Sequence, residues 1–89
     1  MNITELRYLV AIKKWGSVSA AAKQLYAAQP NVSKALKNLE EEYGLRIFER
    51  SSTGMIPTEQ GRRFIEQAAR VLEAVSYTHL RAHETAANL

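Results

Sequence analysis

The sequence predicts a mainly α-helical domain with one short β-hairpin, and three observations favour this fold class. Apolar residues recur at helical spacing over residues 29–43 and again over residues 59–76. Between these segments, residues 45–57 show partial two-residue alternation on either side of a Ser-Ser-Thr-Gly turn. The chain has 89 residues, the length of one small domain.

Composition restricts the classes of protein to consider. Hydrophobic residues make up 46% of the chain, and 12 basic against 9 acidic residues give a net charge of +3, which permits nucleic-acid binding without requiring it. The absence of cysteine excludes disulfides and thiolate zinc sites. No apolar run reaches the roughly 20 residues that cross a bilayer, and the N-terminus lacks a signal-peptide pattern. We therefore expect a cytoplasmic protein without membrane association.

Residues 1–16 are predicted to form the first helix. Asn2 can cap its N-terminus, Glu5 completes a capping-box pair, and Gly16 ends the helix. The face expected to meet the core consists of Leu6, Leu9, Val10 and Lys13, widened by Ile12 and Trp15.

A second, short helix is predicted from Val18 to about Tyr26, with Ser17 as its N-cap. Its run of three alanines, residues 20–22, would allow another helix to approach closely. Leu25 is expected to anchor the segment in the core.

The third helix is predicted to begin near Pro30, which suits a first helical turn, and to end at Gly44. Its core-facing stripe is Val32, Ala35, Leu36, Leu39 and Tyr43. On its outer surface, Lys34 and Lys37 come early and three glutamates, residues 40–42, come late.

This polarity of charge favours a helix that enters a DNA groove by its N-terminal turns. The positive end of the helix dipole, the lysines and the short polar side chains would then meet phosphates and base edges. An ordinary amphipathic surface helix with a solvated outer face is the alternative.

A hairpin is predicted next, with a strand over Leu45–Arg50, a turn at residues 51–54 and a return strand over Met55–Pro57. Beside two helices joined by a tight turn, such a hairpin is called a wing. Its arginine and hydroxyl-bearing tip suit contact with a phosphate backbone. An ordinary solvated hairpin is the alternative.

Thr58 is predicted to cap a long helix from Glu59 to at least Ser76. A second copy of this helix would cover its apolar side, so a homodimer is expected. Packing on the first helix of the same chain is the alternative, and both can hold together. The predicted dimerisation residues are Phe64, Ile65, Ala68, Val71, Leu72 and Val75.

Residues 77–89 break the apolar stripe and are left unassigned. His79 and His83 have the four-residue spacing of metal ligands on a helix, but no third ligand is evident, so we expect no metal site. The segment also resembles adapter- or vector-derived sequence, which suggests an origin outside the natural protein.

The elements before this tail divide into a winged helix-turn-helix over residues 1–58, with its helix-turn-helix at about 18–37, and a linker or dimerisation helix over residues 59–76. Over residues 1–75 the chain resembles the N-terminal DNA-binding domain of LysR-type transcriptional regulators. The matching blocks are Leu6-Arg7-Tyr8-Leu9-Val10, Gly16-Ser17-Val18, Ala21-Ala22, Gln29-Pro30-x-Val32-Ser33-Lys34, Leu39-Glu40-x-x-x-Gly44, Leu45-Arg46-Ile47-Phe48-Glu49-Arg50 and Pro57-Thr58-x-x-Gly61.

The resemblance implies a role for each matching polar residue. Major-groove contacts would come from Gln29, Pro30, Ser33 and Lys34, phosphate contacts from Lys37, and wing contacts from Arg50 and Thr53. Asn31, which flanks them on the outer face of the helix, completes the predicted DNA-binding set.

Three departures from the family pattern affect these expectations. Ala28 stands where the family often has serine, which removes an N-cap worth about 1 kcal/mol. The wing tip, residues 51–53, is less basic than in many members. The family's effector-binding domain is missing, so a small-molecule effector is expected only through a domain absent here.

Two functional hypotheses follow. The first is sequence-specific binding of double-stranded DNA by a homodimer that regulates transcription, in which Gln29 and Ser33 read base edges. The second, kept open by the modest charge and the three glutamates, is a helical protein-interaction or dimerisation module without DNA specificity. An enzyme is not expected, because the sequence has no cysteine, no telling histidine–carboxylate spacing and no glycine-rich phosphate loop. No cofactor is expected either.

Overall fold

The computed structural model describes the backbone of residues 1–87 and the side chains of residues 1–75. Four helices and one hairpin follow one another in the chain. They are α1 (Ile3–Trp15), α2 (Val18–Gln24), α3 (Gln29–Tyr43), β1 (Phe48–Ser51), β2 (Gly54–Pro57) and α4 (Glu59–Ala87). The mainly helical winged helix-turn-helix expected from the sequence is thereby confirmed.

Helix α1 lies at the centre, where it packs against α2, α3 and α4. The core that they enclose is apolar, and burial of each large side chain contributes about 1.5–3 kcal/mol to folding. Its fully buried large side chains are Leu6, Leu9, Ile12, Val32, Leu39, Ile47 and Ile65.

The helix boundaries follow local capping chemistry. The Asn2 side chain accepts the Glu5 N–H at 2.8 Å while the Glu5 carboxylate accepts the Asn2 N–H at 3.1 Å, which is a complete capping box. Gly16 and Gly44 end α1 and α3 in the left-handed conformation. The Ser17 hydroxyl accepts the Ala20 N–H at 3.0 Å and begins α2. These predicted caps are confirmed.

The hairpin pairs antiparallel, with Phe48 opposite Pro57 and Ser51 opposite Gly54, so its turn is the two residues 52–53. The Met55 N–H donates to the Gly16 carbonyl at 2.9 Å, which joins the wing to the end of α1. A Cβ added at Gly54 would lie 2.5 Å from the Gly16 carbonyl oxygen, so glycine permits this close approach.

Helix α4 begins against the strand that precedes the wing. The Thr58 hydroxyl accepts the Gly61 N–H at 2.9 Å, as the capping prediction requires, and donates to the Arg46 carbonyl. The Thr58 N–H in turn donates to the Ile47 carbonyl at 2.9 Å. These bonds fix the direction in which α4 leaves the domain.

Three residues expected on the core-facing sides of the first two helices lie at the surface, namely Lys13, Trp15 and Leu25. Helix α2 ends at Gln24, earlier than predicted, so Leu25 falls in the turn and is 37% exposed. Trp15 is the last residue of α1 and is 44% exposed, with the Lys14 ammonium 5.2 Å from its ring. Helical spacing was the sole basis for predicting that these residues face the core. Spacing does not show where a neighbouring helix ends, so it cannot predict which side chains that helix leaves uncovered.

The first strand of the hairpin is also shorter than predicted. It begins at Phe48, because the residues before it bond to the end of α3 instead of to the partner strand. The Leu45 N–H donates to the Glu40 carbonyl at 3.2 Å, and the Ile47 N–H donates to the Glu40 carboxylate at 2.8 Å.

Candidate nucleic-acid interface

The first turns of α3 form an open polar surface. Ala28 precedes the helix in an extended conformation and supplies no side-chain cap, as predicted, and a proline stands in the first turn. Every predicted DNA-binding residue is exposed. They are Gln29, Pro30, Asn31, Ser33, Lys34 and Lys37 on α3, and Arg50 and Thr53 on the wing.

The opposite face of α3 holds the helix in place. Val32, Ala35, Leu36 and Leu39 are buried, and three of these four belong to the central core cluster. Because helical geometry puts Ser33, Lys34 and Lys37 on the other side, packing of the stripe presents these three side chains to solvent. Tyr43, predicted on the stripe, is 42% exposed and packs edge-to-face on Phe64 with ring centroids 4.9 Å apart.

The wing presents Arg50 from an antiparallel hairpin. Arg50 pairs with Met55 across the strands, and Met55 is tied to α1 through its backbone. At the tip, the Ser51 hydroxyl donates to the Gly54 carbonyl at 3.0 Å and lies 3.1 Å from the Thr53 hydroxyl. These bonds fix the turn, so the predicted wing residues stand on a defined scaffold.

Gln29 and Arg50 line one cleft between the start of α2, the start of α3 and the wing. Its volume is about 290 Å³, and Ser19 of α2 also lines it. Lys34 and Lys37 lie elsewhere: Lys34 lines a depression with Asn31 and residues of α1, and Lys37 lines one shared with Arg46. Sequence reasoning missed Ser19, because only the folded chain brings α2 beside the wing.

The late glutamates of α3 act mostly within the domain. The Glu40 carboxylate accepts the Ile47 N–H, and the Glu42 carboxylate accepts two hydrogen bonds from the N-terminal amine, at 2.7 and 2.8 Å. These bonds to Glu42 raise the pKa of the Met1 amine, with a smaller contribution from Glu5. Glu41 is exposed. The acidic end of α3 therefore has a structural explanation that does not depend on a protein partner.

Helix α4 divides the predicted dimerisation residues into two groups. Ile65 and Ala68 are 2% and 3% exposed and belong to the core of their own chain, so they have no surface for a second copy. Phe64 and Leu72 are half-buried against that core, whereas Val71 and Val75 are 41% and 43% exposed. Packing on the same chain, the alternative left open by the sequence, therefore accounts for Ile65 and Ala68.

The residues that the structure describes include neither a candidate metal centre nor a helix suited to a membrane. No group of three or more His, Asp or Glu side chains there could hold a metal ion. The side chains of His79 and His83 lie outside the described residues. No helix in the described part has both the length and the apolar character needed to span a membrane.

The winged helix-turn-helix class of nucleic-acid-binding domains is defined by three elements: an exposed polar helix on an apolar core, a short helix before it and a hairpin beside it. Residues 3–62 match the protein family described as "Bacterial regulatory helix-turn-helix protein, lysR family". The chain belongs to this family.

Relatives of known name agree with this assignment. The chain is 42% identical over 73 residues to the HTH-type transcriptional regulator TfdS of Cupriavidus pinatubonensis, covering 82% of this chain and 25% of TfdS. It is 33% identical over 82 residues to the HTH-type transcriptional regulator ClcR of Pseudomonas putida, covering 92% of this chain and 28% of ClcR. The chain thus spans about a quarter of the length of these relatives.

Solved structures show the same fold. A crystal structure of the BenM_DBD/catB site 1 DNA complex matches with a TM-score of 0.89 and 34% identity, covering 99% of this chain and 95% of that one. A crystal structure of the CbnR_DBD–DNA complex matches with a TM-score of 0.85 and 34% identity. The match covers 97% of this chain and 99% of the CbnR_DBD chain.

Proposed function

We propose that the chain binds double-stranded DNA sequence-specifically as a homodimer and so directs transcription regulation in the cytoplasm. The observation that carries the proposal is the division of α3 into two faces. The apolar stripe of α3 is buried in the core, whereas Gln29, Ser33 and Lys34 are exposed on its first turns. The names of the relatives, HTH-type transcriptional regulators, and the DNA in the titles of similar structures support it.

Affinity comes mainly from phosphate contacts. Lys34, Lys37 and Arg50 are exposed cations on α3 and the wing, and each neutralised phosphate releases condensed counterions. Thr53 adds a hydroxyl at the wing tip.

Sequence discrimination comes from the first turns of α3 in the major groove. The Gln29 amide can form a bidentate pair with adenine, and the Ser33 hydroxyl can bond to several base edges. Pro30 and Asn31 lie exposed beside them. One well-made bidentate pair contributes about 1–3 kcal/mol of discrimination.

Dimerisation places two copies of this surface on one DNA site. Val71 and Val75 are the exposed large apolar residues among the described side chains of α4, and the half-buried Leu72 and Phe64 flank them. A second α4 would cover this surface and relate the two recognition helices by a twofold axis. We assign no catalytic, cofactor-binding or effector-binding role to these 89 residues.

Selection of bound duplexes from a random pool tests the proposal. We expect an enriched inverted repeat whose half-sites lie about one helical turn, or a multiple of it, apart. The control is the Q29A/K34A double variant, in which both substituted residues are exposed: it should enrich sequences more weakly and lose the preference at one base position of each half-site. An unenriched pool with the unmodified chain would contradict sequence-specific binding.

The second hypothesis, a protein-interaction module, loses its main support from the structure of α3. Glu40 and Glu42 bond within the domain, so only Glu41 remains as an uncommitted acidic residue at that end of the helix. Salt dependence separates the two hypotheses, because phosphate-driven binding weakens steeply as salt rises.

A further inference from the structure

One line along α4 carries no charged side chain. At about 100° per residue, four residues lie within roughly 60° of Phe64 around the helix axis, namely Gln60, Gln67, Val71 and Val75. The arginines and glutamates among the described side chains of α4 lie at least about 100° away from Phe64. Charged residues are depleted at the centre of protein interfaces, so this line suits contact with another protein surface.

The side chain of Tyr43 continues this line from α4 onto the end of α3. Its ring packs edge-to-face on Phe64 with centroids 4.9 Å apart, and the rest of the ring faces solvent. The Tyr43 hydroxyl donates to the Met1 sulfur at 3.2 Å, and Met1 is itself exposed. The exposed apolar surface of α4 therefore extends to the last residue of α3.

The two valines of α4 are too small to form a stable interface by themselves. A standard interface buries roughly 800 Å² on each partner and is enriched in aromatic residues. Val71 and Val75 are each less than half exposed, so a second copy that covered these two alone would bury a small part of that area. Along the uncharged line, the next apolar surface among the described side chains is the aromatic pair of Phe64 and Tyr43.

We propose that the α4 of a second copy of this chain covers Tyr43 as well as Phe64, Val71 and Val75. The inference rests on the homodimer of the proposed function and adds to it a contact residue outside α4. Tyr43 is the last residue of the helix whose first turns carry Gln29. The dimer contact therefore acts on the direction of α3 itself, and not only on that of α4.

Photo-cross-linking in the absence of DNA tests the inference. Tyr43→p-benzoylphenylalanine keeps an aromatic ring at this exposed position and bonds covalently, on irradiation, to groups in contact with it. At a concentration where sedimentation equilibrium shows a dimer, we expect a covalent dimer whose cross-link maps by mass spectrometry to α4 of the second copy. The matched control is Glu41→p-benzoylphenylalanine, which is exposed but lies about 160° away around α3 and should give less than about a tenth of the product.

Two substitutions of Tyr43 separate the dimer contact from packing within one chain. Tyr43→Ser removes the ring, and we expect the dimer dissociation constant to rise at least about fivefold, because a twofold dimer loses two aromatic contacts. Tyr43→Phe keeps the ring and loses only the bond to Met1, so its dissociation constant should stay within about twofold of the unmodified chain. Thermal unfolding checks that both variants retain the fold.

The outcomes separate this inference from the proposed function. If the chain dimerises but position 43 cross-links only within its own chain, or to an element of the second copy other than α4, the contact is refuted and the homodimer stands. Equal cross-linking from positions 41 and 43, or an unchanged dissociation constant in Tyr43→Ser, would also refute it. A chain that stays monomeric at every concentration would refute the homodimer and this contact together.

Discussion

The carboxylate of Glu40 accepts a hydrogen bond from the Ile47 N–H across 2.8 Å, and this bond ties the recognition helix to the base of the wing. Ile47 is fully buried, and its carbonyl accepts the Thr58 N–H at the start of α4. One residue thus connects α3, the wing and α4. The two elements proposed to contact DNA, α3 and the wing, are held in a fixed relative geometry because they share this junction.

Removal of the Glu40 carboxylate should therefore weaken the whole domain. Glu40→Ala leaves the buried Ile47 N–H without its acceptor, and we expect a loss of about 1–3 kcal/mol in the free energy of unfolding. Glu40→Gln keeps an acceptor oxygen and should lose less. Urea unfolding measures both, and Glu41→Ala, an exposed neighbour, should stay within about 0.5 kcal/mol of the unmodified chain. Equal stability of the Glu40 and Glu41 alanine variants would contradict the role of this bond.

Gly61 should not tolerate a side chain. A Cβ there would lie 1.9 Å from the Ile47 carbonyl oxygen, so α4 and the strand must separate to admit it. We expect Gly61→Ala to cost about 2 kcal/mol or more, although alanine normally favours a helix over glycine by about 1 kcal/mol. The adjacent Gln60→Ala serves as control in the same urea titration. A stabilised Gly61→Ala variant would show that the two backbones are not in close contact.

The uncapped start of α3 offers a stabilising substitution. Ala28 already has the extended backbone of an N-cap residue, so Ala28→Ser should add the missing hydrogen bond and about 1 kcal/mol of stability. In a domain of this size, that gain corresponds to a rise of roughly 4–8 °C in Tm. Calorimetry provides the measurement, and Ala28→Val, which cannot cap, should give no rise. A similar Tm for both variants would argue against capping.

The exposed valines of α4 should determine self-association. Val71→Asp puts a charge at the centre of the proposed helix pair, and we expect the dimer dissociation constant to rise at least about tenfold, a change of about 1.4 kcal/mol. Sedimentation equilibrium measures this change. Arg70→Asp, an exposed neighbour of the same helix, provides the control. Unchanged association in the Val71 variant would place the dimer contact elsewhere.

Local chemistry explains most of what the sequence predicted correctly. The Asn2 capping box, the Ser17 cap and the terminal Gly16 and Gly44 depend on residues within one helical turn of each other. The exposed face of α3 follows from helical spacing once its apolar stripe is recognised. These features were predictable because each depends on short-range contacts.

Features that depend on distant residues were not predictable in this way. Nothing near Glu40 in the sequence shows that its carboxylate bonds to Ile47, and nothing near Leu25 shows that α2 ends before it. Ser19 lines a cleft together with wing residues, and the bond from the Met55 N–H to the Gly16 carbonyl holds the wing beside the end of α1. The features that the sequence pattern did not predict therefore depend on hydrogen bonds and packing between residues far apart in the chain.

The central claim is that the first turns of α3 lie in duplex DNA, and fluorescence anisotropy of a labelled duplex over a range of salt concentrations tests it most directly. Lys34→Ala should weaken binding to all sequences and reduce the slope of log affinity against log salt by about 1, whereas Gln29→Ala should keep the slope and relax discrimination at one base position. Arg70→Ala, which removes an exposed charge on α4, outside α3 and the wing, should change neither property. If the Lys34 and Gln29 variants bind with unchanged slope and selectivity, α3 does not contact the DNA.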